Sequence, residues 1–310
     1  MKTVFIDGSA GTTGLRIHQR LEARRDLKLL TLPEALRKDP AARHDAMAAS
    51  DAAFLCLPDA AAIEAAEMMD GAPLTLLDTS TAHRTTPGWA YGFPELGADF
   101  AGAVQRNNRI AVPGCHASGF IALVRPLVAA GLLSPAARLS CHSVTGYSGG
   151  GKKMIAQYEA SGRDGLLDAP RQYGLGQTHK HLKEMQAITG LETAPVFCPI
   201  VADFYSGMVV TVPLFRADLQ GGATADQIRQ LYGDTYRGPV VRYRSQMDEE
   251  GFLSGAGLSG SDAMELTVAG NDDRILLLAR YDNLGKGASG AAIQCLNLSL
   301  GCDITEGLVL

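Results

Sequence analysis

Cys115 follows Pro113-Gly114 and opens the segment HASGFIALVRPLVAAG, whose apolar spacing predicts a helix. A thiol at a helix N-terminus meets unpaired amides and the positive end of the macrodipole, which favour the thiolate. The remaining five cysteines lack that setting: Cys56 and Cys295 sit inside apolar strand or helix patterns, and Cys141 and Cys198 inside strand-like runs. No CxxC pair occurs among them, which argues against a zinc knuckle or a disulfide framework. Cys115 is therefore the candidate nucleophile, and core packing is the expectation for the others.

A thiolate that makes and breaks an acyl bond beside a hydride donor also needs a proton carrier, and histidine is poised for it near neutral pH. The segment Gly176-Gln177-Thr178-His179-Lys180-His181-Leu182-Lys183-Glu184 sets two histidines two residues apart at a predicted helix start. Residues i and i+2 do not share a helix face and no third ligand follows, so a metal site is not indicated. His116 and His142 also lie near segments of interest, whereas His18, His44 and His83 have no such context. Acyl-phosphate chemistry further requires anion binding, for which Arg84, after Asp78-Thr79-Ser80-Thr81-Ala82-His83, and the loop SVTGYSGGGKK at 143–153 are candidates.

Near the N-terminus, Gly8-Ser9-Ala10-Gly11-Thr12-Thr13-Gly14 joins a strand to a helix. Glycines there let the backbone approach a dinucleotide pyrophosphate, and the helix start stabilises its charge. The spacing is GxxGxxG rather than GxGxxG, and a tight βα connection is the simpler alternative. Past the second strand, Glu34 suits a ribose 2′-hydroxyl, as in NAD, while Arg37 and Lys38 suit a 2′-phosphate, as in NADP. The residues alone leave that choice open.

The elements that must position these groups follow from periodicity. In the first third, the apolar runs KTVFID, LKLLTL, AAFLCLP, PLTLLDTS and IAV alternate with helical stretches, the pattern of a parallel sheet buried on both faces. Longer strands are expected at 138–147, 206–215, 263–269 and 274–282, which mark a second, α+β lobe. A last helix over about 285–300 is expected to pack back onto the first lobe. The chain of 310 residues has room for two such domains. With 28 Lys+Arg against 33 Asp+Glu and no basic run, it has no electrostatic footprint for nucleic acid or an anionic membrane. Neither a membrane-length apolar stretch nor a signal-peptide pattern occurs, and the cytoplasm is the expected compartment.

Together these segments resemble N-acetyl-gamma-glutamyl-phosphate reductases, in particular their shorter bacterial branch, along nearly the whole chain. FIDGSAGTTGL is similar to the family's cofactor loop, and LDTSTAHR with YGFPEL to its DxSxxxR and YGxPEL segments. VPGCHASG resembles the nucleophile motif NPGCYxTG, and SVTGYSGGGKKM the SGxSGxG(R/K) loop. HKHLKEM resembles HxHxxE, and DNLGKGASGAAIQCLNLSLG the closing NLxKGxxGxAxQ helix.

The resemblance implies a Rossmann-type, parallel-sheet NADP domain at 1–115 and 284–310. It also implies an α+β catalytic domain like that of glyceraldehyde-3-phosphate and aspartate-semialdehyde dehydrogenases at 116–283, and a homodimer or homotetramer. Cys115 falls on the nucleophile and His179 and His181 on the pair holding the acid/base, with His179 the first choice. Gly8 to Gly14, Arg37, Lys38, Ser80, Asn283, Gly285, Lys286 and Gly287 fall on the cofactor site. Arg84, Ser143, Gly146, Ser148, Gly149 and Glu184 fall on the substrate site. Three positions depart from the nucleophile motif: Val112 stands for its Asn, His116 for its Tyr and Ser118 for its Thr. The implied reaction is NADPH-dependent reduction of N-acetylglutamyl 5-phosphate through a cysteine thioester. Its rivals are reduction of another acyl phosphate, as in aspartate-semialdehyde dehydrogenase, and a nucleotide sensor whose cysteine does no chemistry.

Overall fold

The apolar runs of the first third become strands of one parallel sheet. A computed structural model of the chain describes all 310 residues. It divides them into two compact units, Met1–Gly114 with Ala288–Leu308 and Cys115–Gly287 with Val309–Leu310.

In the first unit, β1 (Lys2–Asp7), β2 (Leu27–Leu30), β3 (Ala52–Leu55), β4 (Thr75–Asp78), β5 (Ala90–Tyr91) and β6 (Arg109–Ala111) form a six-stranded sheet in the order β2-β1-β3-β4-β6-β5. Every pairing in it is parallel. Helices α1 (Thr12–Glu22), α2 (Pro40–Ala48), α3 (Asp59–Met68) and α4 (Ala98–Arg106) provide the connections. Successive side chains of a strand point to opposite faces, so β1 sends Val4 and Ile6 into one core and Phe5 into another. With a core on each face, strands such as β3 are buried at all positions, which is why they read as continuous apolar runs.

The second unit begins with α5 (Cys115–Ala129), then β7 (Ser140–Gly146), α6 (Gly151–Glu159), β8 (Arg171–Gln172), α7 (His181–Thr189), β9 (Val196–Ala202) and β10 (Met208–Phe215). It continues through α8 (Ala225–Thr235), β11 (Val241–Tyr243), β12 (Met264–Gly270) and β13 (Arg274–Tyr281). Its seven strands form a mixed sheet in the order β11-β12-β13-β10-β7-β9-β8. Helix α5 is almost wholly buried and carries Pro126, which leaves the Ala122 carbonyl without its helical donor. The Tyr236 hydroxyl of the α8 end donates to that carbonyl at 2.6 Å, and Tyr232 donates to the neighbouring Leu123 carbonyl. The helix carrying Cys115 is thus held at its proline by two buried phenols.

The chain then returns to the first unit, where α9 (Gly290–Leu300) buries Ala291, Ala292, Ile293, Cys295 and Leu296 in the core that holds Val4 and Ile17. The helix expected from 285 starts later, because residues Gly285–Ser289 form a π-helical turn. Its cause is Asp282: the Gly285 and Gly287 amides donate to its carbonyl at 3.1 and 3.0 Å, and the Leu284 amide to its Oδ1 at 2.7 Å. That turn stays with β13, so one division falls after Gly287 rather than 283. The other falls before Cys115, whose carbonyl accepts the Tyr281 hydroxyl of β13 at 2.5 Å.

Candidate active site

In the first unit, β1 ends at Asp7 and the chain turns sharply at Gly8, whose φ of +86° is open to glycine at little cost. A Cβ at Gly8 would lie 2.3 Å from the Cys56 carbonyl oxygen, and one at Gly14 would lie 2.4 Å from the Gly8 carbonyl oxygen. The turn closes through Gly11 N–H donating to Gly8 O at 3.0 Å, and no side chain caps α1. The first-turn amides of Thr12, Thr13 and Gly14 are therefore available to an anion. Beside them opens a cavity of about 480 Å³ whose lining includes Gly8, Ser9 and Ala10 together with Arg37 and Lys38. Leu30, Leu32, Leu57 and Ala61 give it apolar walls suited to an adenine ring. Glu34 lines the cavity along with the two cations. Arg43 of α2 also lines it and pairs with buried Asp7, Nε to Oδ2 at 2.9 Å. Burial pushes the Asp7 carboxyl up, against the opposing pull of Arg43. The residues present fit a dinucleotide with a 2′-phosphate, the charge at Arg37 and Lys38 being the feature that NAD does not need.

Ser80 and Arg84 are in the same unit but do not line that cavity. The Ser80 hydroxyl donates to Asp78 Oδ2 at 2.8 Å, and His83 Nδ1 lies 2.7 Å from the same oxygen while its ring stacks on Trp89. Arg84 is buried, and its Nε and Nη2 donate to the carbonyls of Val112 and Thr79 at 2.9 and 3.1 Å. It thereby holds the end of β6 just ahead of Pro113-Gly114.

In the second unit, Cys115 is the first residue of α5 and is only half-buried. Burial pushes the Cys56 thiol up to about 12 and raises that of Cys141 further, so neither supplies a thiolate near neutral pH. A Cβ on Gly287 would stand 3.0 Å from the Cys115 Cβ, so glycine is what lets the 282–287 turn pass beside the thiol-bearing residue. The next residue of the motif works inside that turn: Asn283 accepts the Gly207 amide on Oδ1 at 2.8 Å and donates from Nδ2 to Ser148 Oγ at 3.0 Å. Asn283 thus ties the glycine-rich loop of Gly146, Ser148 and Gly149 to the end of β13. Lys286 is buried in the same turn, while Lys152 and Lys153 are exposed on α6.

The histidines gather around His116. Its ring centroid lies 5.8 Å from that of His179, 5.7 Å from His181 and 5.3 Å from Phe197. Its Nδ1 lies 2.6 Å from Ser143 Oγ and its Nε2 2.6 Å from the Tyr173 hydroxyl. Burial, with a smaller effect from His179, pushes the His116 pKa down to about 3, so the ring is neutral at physiological pH. His179 caps the start of α7 by accepting the His181 amide on Nδ1 at 3.2 Å. One turn on from buried His181, Glu184 is buried as well. His142 faces away, exposed on the opposite side of β7 from fully buried Ser143.

Two tyrosines belong to this site that sequence reasoning did not single out. Tyr281 bonds the Cys115 carbonyl and receives the Gly119 amide at 3.0 Å. Tyr173 bonds His116, and its phenol is pushed up by burial first and by the charge of Cys115 second. Tyr281 reads as a core residue at a strand end, and Tyr173 falls in the irregular stretch after β8; neither has a periodic signal. Asp282 was likewise hidden at the end of an apolar strand.

Comparison with known proteins agrees with this geometry. The sequence profile described as semialdehyde dehydrogenase, dimerisation domain, matches residues 115–283. N-acetyl-gamma-glutamyl-phosphate reductase of Rhizobium meliloti (strain 1021) is 45% identical, over 96% of this chain and 98% of its own. N-acetyl-gamma-glutamyl-phosphate reductase 2 of Pseudomonas putida is 44% identical, over 96% of both chains. Among solved structures, aspartate semialdehyde dehydrogenase II of Vibrio cholerae superposes with a TM-score of 0.71 at 16% identity, covering 97% of this chain and 98% of that one. Aspartate semialdehyde dehydrogenase of Candida albicans, solved with NADP, gives 0.66 at 14%, covering 96% and 98%. The structural likenesses establish the fold, a Rossmann-like parallel sheet with a second, mixed-sheet domain, and the sequence identities establish that the chain belongs to the N-acetyl-gamma-glutamyl-phosphate reductase family.

Proposed function

We propose that the chain reduces N-acetylglutamyl 5-phosphate to N-acetylglutamate 5-semialdehyde and phosphate, with NADPH, in arginine biosynthesis. The observation that carries this is Cys115, a half-buried thiol at the first position of α5, in the unit that also holds the histidine and tyrosine cluster. The Cys115 thiolate adds to the acyl carbon, the carbon–oxygen bond to phosphate breaks, and a thioester remains on sulfur. The Gly8–Gly14 turn, with Arg37 and Lys38 at the 2′-phosphate, would hold NADPH, which would supply the hydride for reduction of this thioester. Collapse of the resulting tetrahedral alkoxide breaks the carbon–sulfur bond, returns the thiolate and releases the aldehyde. Arg84 is assigned the leaving phosphate; the two carbonyls it binds fix the plane of its guanidinium.

Of the two histidines, hydrogen-bond polarity favours His181 as the acid/base. His179 Nδ1 already accepts an amide proton, so its neutral ring carries hydrogen on Nε2 and can donate, but gaining a second proton means giving up the cap of α7. We therefore assign the role to His181, where the motif alone made His179 the first choice. Glu184, one turn along α7, is assigned to the substrate pocket beside it.

The match to a dimerisation domain supports a homo-oligomer, here proposed to be a dimer or tetramer, with the exposed Val196, Phe215 and Leu276 of the mixed sheet covered by a second copy. No helix is long and apolar enough to cross a membrane; the biosynthetic activity of the relatives is what supports a cytoplasmic location. The reverse reaction tests the assignment: N-acetylglutamate semialdehyde should drive NADP reduction only when phosphate is supplied. Turnover of aspartate semialdehyde in preference to it would overturn the substrate assignment.

A further inference from the structure

Ser143, His116 and Tyr173 form a chain of two 2.6 Å hydrogen bonds whose direction can be worked out. The His116 ring is neutral, so it offers one donor and one acceptor. Ser143 is fully buried, and Nδ1 of His116 is the acceptor within reach of its hydroxyl. Were Nδ1 to carry the proton, the serine hydrogen would be left buried and unsatisfied, which costs the full desolvation penalty of that group. Tyr173 is less buried than Ser143, so of the two hydroxyl hydrogens it is the one that can be left for substrate to accept. The economical arrangement is therefore Ser143 O–H to Nδ1, and Nε2–H to the tyrosine oxygen. The phenolic hydrogen is then free to point away from His116. Cys115 precedes His116 in the chain, and its charge is felt at Tyr173.

We infer that His116 is a positioning residue which, held by Ser143, turns the Tyr173 hydroxyl outward to donate a hydrogen bond to the acyl oxygen of the group carried on Cys115. Tyr173 is then a catalytic residue: it stabilises the oxyanion formed as sulfur adds to the carbonyl and again as hydride is accepted. The inference rests on the thioester reading of Cys115 and concerns what stabilises its tetrahedral states. It gives a use to His116, one of the three residues that depart from the resembled nucleophile motif.

Two measurements test it separately from that reading. In protein labelled with ¹⁵N-histidine, the ring nitrogens of His116, assigned by loss of their signals in His116→Gln, report the tautomer without any turnover. Hydrogen on Nε2 is expected from pH 6 to 8; hydrogen on Nδ1 would overturn the proposal even in a fully active enzyme. For catalysis, Tyr173→Phe is expected to lower kcat about tenfold to a hundredfold with KM changed by less than about threefold. His116→Leu should fall to the same level, and His116→Gln, which keeps an acceptor and a donor, should recover most of the loss. In the double variant Tyr173→Phe/His116→Leu the two losses should not multiply, since both remove one hydrogen bond. Unchanged kcat in Tyr173→Phe, or multiplying losses in the double variant, would refute it. Failure of the wild type to form a thioester would instead count against the thioester reading.

Discussion

Three neighbouring histidine rings have different surroundings. His116 is neutral, squeezed between a hydroxyl on each nitrogen; His179 has given Nδ1 to an amide; His181 lies buried a turn before Glu184. Replacing His181 by Asn should lower kcat by about 10²- to 10⁴-fold and remove one limb of the kcat–pH profile. His179→Asn should cost less and keep that limb, since Asn can still cap α7 and donate. If instead the limb disappears with His179→Asn and survives His181→Asn, the assignment is reversed. The spacing of the pair was legible in the sequence, as was the singular setting of Cys115. Which nitrogen of His116 carries its hydrogen was not, because it depends on contacts with Ser143 and Tyr173, 27 and 57 residues away.

At the scale of elements, the glycine turn and its strand were readable because both depend on local sequence: an apolar run, a φ open to glycine, a helix without a side-chain cap. The π-turn at Gly285–Ser289 was not, since helical periodicity continues through it and only the carboxylate and carbonyl of Asp282 divert the backbone. The roles of Arg84 and Asn283 also look different from a motif than from their contacts, for both spend side-chain groups on neighbouring loops. We assign cofactor choice to the β2–α2 connection. There the sequence left Glu34 against Arg37 and Lys38, and all three line one cavity. Replacing Arg37 and Lys38 together by Ala should raise KM for NADPH at least about tenfold, the loss of one or two charge-assisted contacts, and leave KM for NADH nearly unchanged. An equal rise for both cofactors would place the 2′-phosphate elsewhere.

For the molecule as a whole, burial of a neutral histidine links stability to pH. The folded pKa of His116, about 3, lies below its ordinary value of 6.5, so the unfolded chain binds the extra proton first. Stability is complete above pH 6.5 and falls as pH drops from there towards 3, by about 2 kcal/mol at pH 5. The melting temperature of His116→Gln should accordingly change less between pH 7 and pH 5 than that of the wild type; parallel curves would show that the ring is not buried neutral. The two-domain order of strands and helices was legible from periodicity, but the divisions of the chain fall before Cys115 and after Gly287, two residues of the second unit so placed that a Cβ on Gly287 would stand 3.0 Å from that of Cys115. What that architecture serves is covalent catalysis, and a single-turnover experiment addresses it directly. Enzyme mixed with NADP and N-acetylglutamate semialdehyde, without phosphate, should release a burst of NADPH equal to the number of subunits and carry one N-acetylglutamyl group on the peptide containing Cys115. Phosphate should discharge that group, and Cys115→Ala should bind NADPH yet show neither burst nor adduct; a burst with no mass on Cys115, or turnover by the alanine variant, would contradict the thioester mechanism.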